Sequence, residues 1–241
     1  MDTLVTRQDC NGIATLTLNR AAKRNALNVD MFRALDDHLA SIESTAAVSV
    51  IVLRANGPVF SAGADLGKQQ SAPMRHFQAR TIDRLAGLPQ PVIAAVEGAC
   101  FTGGLELVLA ADIIVAAEDA RFADTHARWA LVPGWGLTQR LPRRIGPGRA
   151  RLMMFSSGEI DGRTAEDWGL ADLCLPAATF ETELGRLVRD IAANSPHSLR
   201  GYKRLLAETH DLPLAAGLAW ERANSPGAGP DFAERIAGRF G

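Results

Sequence analysis

Three short apolar runs, residues 48–53, 92–96 and 112–116, constrain this chain more than any other feature. They are strand-sized, rich in Val and Ile, and show little polar alternation, so they read as strands buried on both faces, as in a parallel sheet. Parallel neighbours need crossover connections, and the sequence between the runs supplies them. An amphipathic pattern at 74–86 precedes the second run, and a short helical segment from about Gly104 precedes the third. Ahead of the first, Asn28 is placed to cap a helix whose Phe32, Leu35, Leu39 and Ile42 recur at spacings of three and four. The chain opens differently, with strand patterns at 4–7 and 13–18 around Asn11-Gly12, a hairpin turn signal. The whole alternation predicts an α/β core.

Downstream the pattern turns helical. Residues 138–144 and 149–155 read as short helices, and Thr164-Ala165-Glu166-Asp167 is a capping-box candidate for another. Phe180, Leu184, Leu187, Val188 and Ile191 form one stripe. After Pro196 come helical patches at 199–208, 214–223 and 232–240, with a Pro/Gly-rich linker at 224–230. This divides the chain into an α/β core, 1–194, and a helical segment, 195–241, too small to fold alone.

Composition narrows the function. With 26 basic against 27 acidic residues in 241, the chain has no overall electrostatic footprint for nucleic acid or an anionic membrane. Five arginines between Arg140 and Arg151 lack interleaved aromatic residues and read as a solvated or subunit-contact face. Cys10, Cys100 and Cys174 contain no close pair, which argues against a disulfide framework or cysteine zinc site and for reducing, cytoplasmic surroundings. The N-terminus lacks a basic-then-apolar leader, and the apolar stretch 99–117 is interrupted by Glu106 and Asp112, so neither export nor a membrane span is expected. His38, His76, His126, His197 and His210 have no metal-ligand spacing, and no metal is expected. Gly98 to Gly104 lacks the dinucleotide spacing, and Gly67-Lys68 lacks the Ser or Thr of a phosphate loop.

Two glycine loops remain, each after a buried strand: Ser61-Ala62-Gly63-Ala64-Asp65-Leu66, and Gly98 through Gly104 followed by Leu105-Glu106. Glycine lets backbone approach a ligand, and amides at the start of a helix can meet a developing negative charge. Either loop alone reads as a tight turn. Together, followed by a carboxylate in an apolar run where an idle charge is costly, they point to an oxyanion hole with an acid/base group.

These loops, with Val96-Glu97-Gly98 before the second and Leu131-Val132-Pro133-Gly134-Trp135-Gly136-Leu137 after it, resemble the crotonase family of enoyl-CoA hydratases and isomerases. Asn19-Arg20, Arg24-Asn25-Ala26-Leu27, Phe122 and Ser195-Pro196 extend the resemblance over essentially the whole chain. Ala21 stands where proline is common and Thr102 where the first of three glycines is common. The resemblance implies a spiral of β-β-α turns with a C-terminal trimerising segment, assembled as a homotrimer or a hexamer of two trimers. It implies an acyl-CoA thioester substrate and no separate cofactor, coenzyme A being part of that substrate. The amides of Ala64 and Gly103 would hold the thioester oxygen. Ala26, Ala62, Asp65 and Leu66 would receive coenzyme A, and Lys23 or Arg24 would meet its phosphates. Trp129, Leu131 and Trp135 would line the acyl pocket, Trp135 replacing a commonly small residue.

Hydratases of this family use two glutamates, and Glu106 matches the first. Where the second is expected, four residues after Phe122, stands His126. Imidazole can accept and donate a proton near neutral pH, so His126 is the second catalytic candidate; a hydrogen-bonded pocket wall is its structural alternative. Asp124 is a further candidate acid that an extended backbone would aim elsewhere. The expected activity is hydration of a trans-2-enoyl-CoA with Glu106 as acid/base. The alternatives are double-bond isomerisation, another lyase or hydrolase reaction on the same hole, and a non-catalytic acyl-CoA binder.

Overall fold

The computed structural model describes residues 3–67 and 71–240; Lys68 of the Gly67-Lys68 pair lies outside them. The hairpin forms from β1 (Val5–Cys10) and β2 (Ile13–Leu18), with Cys10 paired to Ile13. Asn11 and Gly12, at φ 50° and 77°, form the left-handed corner that right-twisted strands prefer. The three constraining runs become β3 (Val50–Ala55), β4 (Val92–Val96) and β6 (Ile113–Ala117). With β9 (Leu173–Leu175) they continue the sheet in the order β1-β2-β3-β4-β6-β9, parallel from β2 onward.

The crossovers are α1 (Val29–Glu43), α2 (Phe77–Gly87) and α3 (Gly103–Val108). Asn28 caps α1 as expected, its side chain accepting from the Met31 N–H at 2.9 Å, and the Phe32, Leu35, Leu39, Ile42 stripe is buried. A second, small sheet holds β5 (Ala99–Phe101), β7 (Arg121–Ala123) and β8 (Ile160–Asp161). Bridges Val59–Gly98 and Ser61–Cys100 attach the first glycine loop to it. The chain runs long strand, short strand, helix at β4-β5-α3 and again at β6, β7 and α4 (Leu137–Ser156), and after β3 single bridges at Val59 and Ser61 take the place of the short strand before α2. This is the expected β-β-α spiral.

Alternation along the buried strands feeds two cores. Ile51, Leu53, Ala94, Val96 and Ile114 face α1 to α3 and the small sheet. Val50, Val52, Ile93, Ala95 and Val115 face Phe180, Leu184 and Val188 of α6 (Phe180–Ala192), preceded by α4 (Leu137–Ser156) and α5 (Gly162–Trp168). Gly146, at φ 79° and ψ 155°, breaks α4 into the two short helices expected there. The capping expectation for α5 needs correction. The helix begins at Gly162, and Asp161 caps it by accepting from the Thr164 N–H at 2.8 Å.

Residues 195–241 contain α7 (Pro196–Thr209), α8 (Leu214–Asn224) and α9 (Phe232–Phe240). Lys203 ties α7 to the core through Asp112 at 2.7 Å. Leu206, Leu214, Trp220 and Phe232 are all exposed on these helices. Among the described residues, no helix is long and apolar enough to cross a membrane.

Candidate active site

The two glycine loops are joined directly by Ser61, whose N–H donates to Ala99 O at 3.0 Å and whose carbonyl accepts from the Phe101 N–H at 2.9 Å, and the first loop is also tied to segment 20–27. Leu27 N–H donates to Gly63 O, Asp65 N–H to Leu27 O, and Ala62 N–H to Arg24 O, at 2.8–2.9 Å. Asn25, buried and at φ 49°, accepts from the Arg20 N–H and donates to the Asn56 and Val59 carbonyls at 2.7–2.9 Å. Sequence reading assigned Asn25 no role; its signal was the tolerance of Asn for a left-handed corner. Ser61, also buried, adds bonds to Asn25 O and from Gly63 N–H.

This packing brings the backbones of Ala64 and Gly103 side by side. A Cβ placed on Gly103 would lie 3.2 Å from the Ala64 nitrogen. Among the described residues, neither N–H donates to a protein acceptor. Thr102 sets the direction of the second amide. At φ 47° and ψ −111° it takes the first-corner conformation of a type II′ turn. Its carbonyl accepts the Glu106 N–H at 2.9 Å, so the trans peptide turns the Gly103 N–H the opposite way, out of α3. Two such donors on a developing oxyanion are worth about 2.7–4 kcal/mol each.

Glu106 lies three residues after Gly103 and therefore on the same face of α3. It is 1% exposed. Its Oε1 accepts from the Trp135 N–H at 2.7 Å and the Leu137 N–H at 3.2 Å, which leaves Oε2 for chemistry. Burial pushes the carboxyl above its ordinary value, with Asp124 adding a smaller push; the two amide bonds and His126 pull the other way. The Trp135 ring packs edge-on against Phe32, centroids 5.1 Å apart, and over Gly103, where an added Cβ would lie 2.5 Å from Trp135 Cζ3.

The parallel pairing of β5 and β7 brings the second acid/base candidate alongside. Phe101 pairs with Ala123, and Thr102 N–H donates to Ala123 O, so the segments following both strands run together. His126, which opens a 3-10 turn over His126–Trp129, places Nε2 3.9 Å from Glu106 Oε2. Asp124 does not point elsewhere. Thr125, at φ −104° and ψ 11°, is not extended, and the Asp124 carboxylate reaches the His126 ring.

The other expected site residues divide by position. Lys23, Arg24 and Ala62 are exposed along the rim joined to the first loop, with Ala26 half-buried beside them. Asp65 accepts from Arg20 at 2.6 Å and from the Gly67 N–H at 2.9 Å, and these bonds hold its carboxyl below the usual range. It therefore braces the loop, with Arg20, another residue not singled out from sequence. Leu66 is 62% exposed, and Trp129 and Leu131 are also exposed, on the solvent side of His126. Of the arginines after 139, Arg140 bonds Asp83, Arg144 bonds Asp172, and Arg149 stacks on Trp168.

The family profile described as enoyl-CoA hydratase/isomerase matches residues 8–227. The chain is 36% identical to the 2,3-dehydroadipyl-CoA hydratase of Escherichia coli, over 91% of this chain and 87% of that protein. It is 35% identical to the mitochondrial methylglutaconyl-CoA hydratase of Mus musculus, over 90% of this chain and 72% of that protein. The crystal structure of an enoyl-CoA hydratase from Bacillus anthracis superposes with a TM-score of 0.91 at 31% identity, covering 98% of this chain and 95% of the other. The fold agrees with these matches, and the chain is an enzyme of the enoyl-CoA hydratase/isomerase family.

Proposed function

We propose that this enzyme adds water across the double bond of a trans-2-enoyl-CoA, with the Ala64 and Gly103 amides holding the thioester oxygen and Glu106 and His126 sharing the proton transfers. The observation that carries this reading is the 3.9 Å gap between Glu106 Oε2 and His126 Nε2. One water at about 2.8 Å from each atom spans such a gap. Hydration appears in the names of both the dehydroadipyl-CoA and methylglutaconyl-CoA relatives, which favours it over isomerisation.

Protons balance as follows. Burial favours the protonated form of Glu106. His126 Nε2 takes a proton from the water as its oxygen bonds to Cβ, and Glu106 gives its proton to Cα of the enolate. Return of the proton from the imidazolium to the carboxylate resets the site. The amide pair lowers the barrier by meeting charge present only during reaction. Coenzyme A belongs to the substrate, so the reaction asks for no further cofactor.

The rim formed by Lys23, Arg24, Ala26, Ala62, Asp65 and Leu66 receives the coenzyme A portion, and Trp129, Leu131 and Trp135 wall the acyl portion. Exposed Leu214, Trp220 and Phe232 on the C-terminal helices favour a homotrimer or paired trimers in which 195–241 packs against neighbouring subunits. Cytoplasmic residence fits three free cysteines.

The test is turnover of a short trans-2-enoyl-CoA, following loss of the conjugated thioester absorbance and product mass. Conversion to the 3-hydroxyacyl-CoA that falls at least 100-fold in Glu106→Gln supports the reading. Product of unchanged mass from a 3-enoyl-CoA, with no water added to the 2-enoyl isomer, replaces it with isomerisation. Tight acyl-CoA binding without turnover of any thioester replaces it with a binding role.

A further inference from the structure

We propose that Asp124 is a positioning residue that fixes the His126 imidazole as the Nδ1–H tautomer, so that the Nε2 lone pair faces Glu106. The inference rests on the hydratase reading above and concerns the group that orients its second acid/base residue.

The geometry is specific. Asp124 Oδ1 lies 2.5 Å from His126 Nδ1 and also accepts the His126 backbone N–H at 3.1 Å. An oxygen that already accepts one N–H acts as acceptor toward the ring, so the proton between it and the imidazole belongs to Nδ1. The backbone bond closes an Asx-type turn across Thr125 and fixes the carboxylate before the ring is placed. Asp124 is 1% exposed and His126 9%, so water does not readily replace this partner. Among the described residues, the titratable side chains paired with the ring are Asp124 on one edge and Glu106 on the other.

The chemistry needs this arrangement. A ring held as the Nε2–H tautomer would present a donor toward Glu106 and could not take a proton from water there. With Asp124 at Nδ1, neutral His126 has only Nε2 free to accept, and the imidazolium formed afterwards stays paired with a carboxylate. An orienting carboxylate behind a histidine base is a general device for this purpose.

The test is a double-mutant cycle on kcat with Asp124→Leu, which removes charge and acceptor while keeping the branch at Cγ, and His126→Ala. Asp124→Asn, which keeps an acceptor oxygen, is the milder variant. Acyl-CoA affinity and near-ultraviolet circular dichroism show that each variant is folded. Expected is a 10- to 100-fold loss of kcat in Asp124→Leu, KM changed less than threefold, and a smaller loss in Asp124→Asn. In the His126→Ala background, Asp124→Leu should cost less than twofold. Nitrogen-15 shifts of the His126 ring should report Nδ1–H in the wild type and lose that signature in Asp124→Leu. An equal loss of kcat in both backgrounds, or a wild-type ring protonated at Nε2, overturns the proposal while leaving hydration intact. Full kcat in His126→Ala overturns both the proposal and the role of His126. Absence of wild-type hydration removes the underlying reading instead.

Discussion

The backbone N–H of Trp135 donates to Glu106 Oε1 over 2.7 Å, while the Trp135 ring lies against Gly103, one turn earlier on the same helix. One residue thereby orients the buried carboxyl and walls the amide pair. Burial outweighs the two amide bonds and raises the carboxyl above its ordinary value of 4.5. A raised acid binds its proton more tightly in the folded than in the unfolded chain. Stability contributed by this group is therefore largest at low pH and is lost as pH rises from about 4.5 through the raised value. Glu106→Gln keeps an oxygen for both amides and cannot ionise. Its melting temperature at pH 7 should exceed that of the wild type, the gap closing below pH 4.5, while turnover falls by about 10²–10⁴-fold. Calorimetry across pH and the hydration assay check the two halves separately.

Asn25 should matter to stability more than its place in a loop implies. Its buried side chain accepts one backbone bond and donates two, joining segments 20–27 and 56–61. Asn25→Ala leaves three backbone groups without these partners and places alanine at φ 49°. A loss of about 3 kcal/mol is expected from the stranded groups. Denaturant unfolding measures it, and activity should fall with it because the Ala64 amide is held by the same join. Asn25→Asp, which keeps the acceptor but sets a buried carboxylate oxygen against two carbonyl oxygens, should be at least as destabilising as alanine at neutral pH.

The α1 stripe and β4 were legible because each carries a complete period of burial within its own residues. Glu106 was legible because a carboxylate in an apolar run needs a reason. The small sheet was not, since strands such as Ile160–Asp161 are too short to show alternation and exist through their partners. Asp124 facing His126 depends on the turn at Thr125, which tertiary pairing of β5 and β7 imposes. The direction of the Gly103 amide depends on the backbone of Thr102, where side-chain identity argues for a different conformation.

Thr102 is the strained point of the second loop. A β-branched residue at φ 47° and ψ −111° occupies a region that glycine enters freely. Holding it there costs about 1–3 kcal/mol, and glycine returns about 0.5–1 of that through greater freedom in the unfolded chain. Thr102→Gly should raise stability by about 1 kcal/mol with hydration retained. Thr102→Ala keeps a Cβ in the same region and should bring no such gain. The two urea midpoints, at unchanged slope, decide between strain relief and loss of the hydroxyl as the dominant effect.

Trp135 should set the acyl length. Its ring stands edge-on to Phe32 at an interplanar angle of 75° and so close to Gly103 that no methyl fits between them. On the proposed function, a thioester whose oxygen lies between the Ala64 and Gly103 amides leads its acyl chain past this wall. Trp135→Ala keeps the N–H that orients Glu106 and removes the ring, so chemistry on a four-carbon substrate should change little beyond the looser fit. The ratio of kcat/KM for a twelve-carbon to a four-carbon 2-enoyl-CoA should rise at least tenfold, about 1.4 kcal/mol of discrimination. Trp135→Phe, which retains a smaller ring, should lie between the two. An unchanged ratio in both variants means that the chain leaves the hole by another side and that the ring serves only to pack α1 against α3.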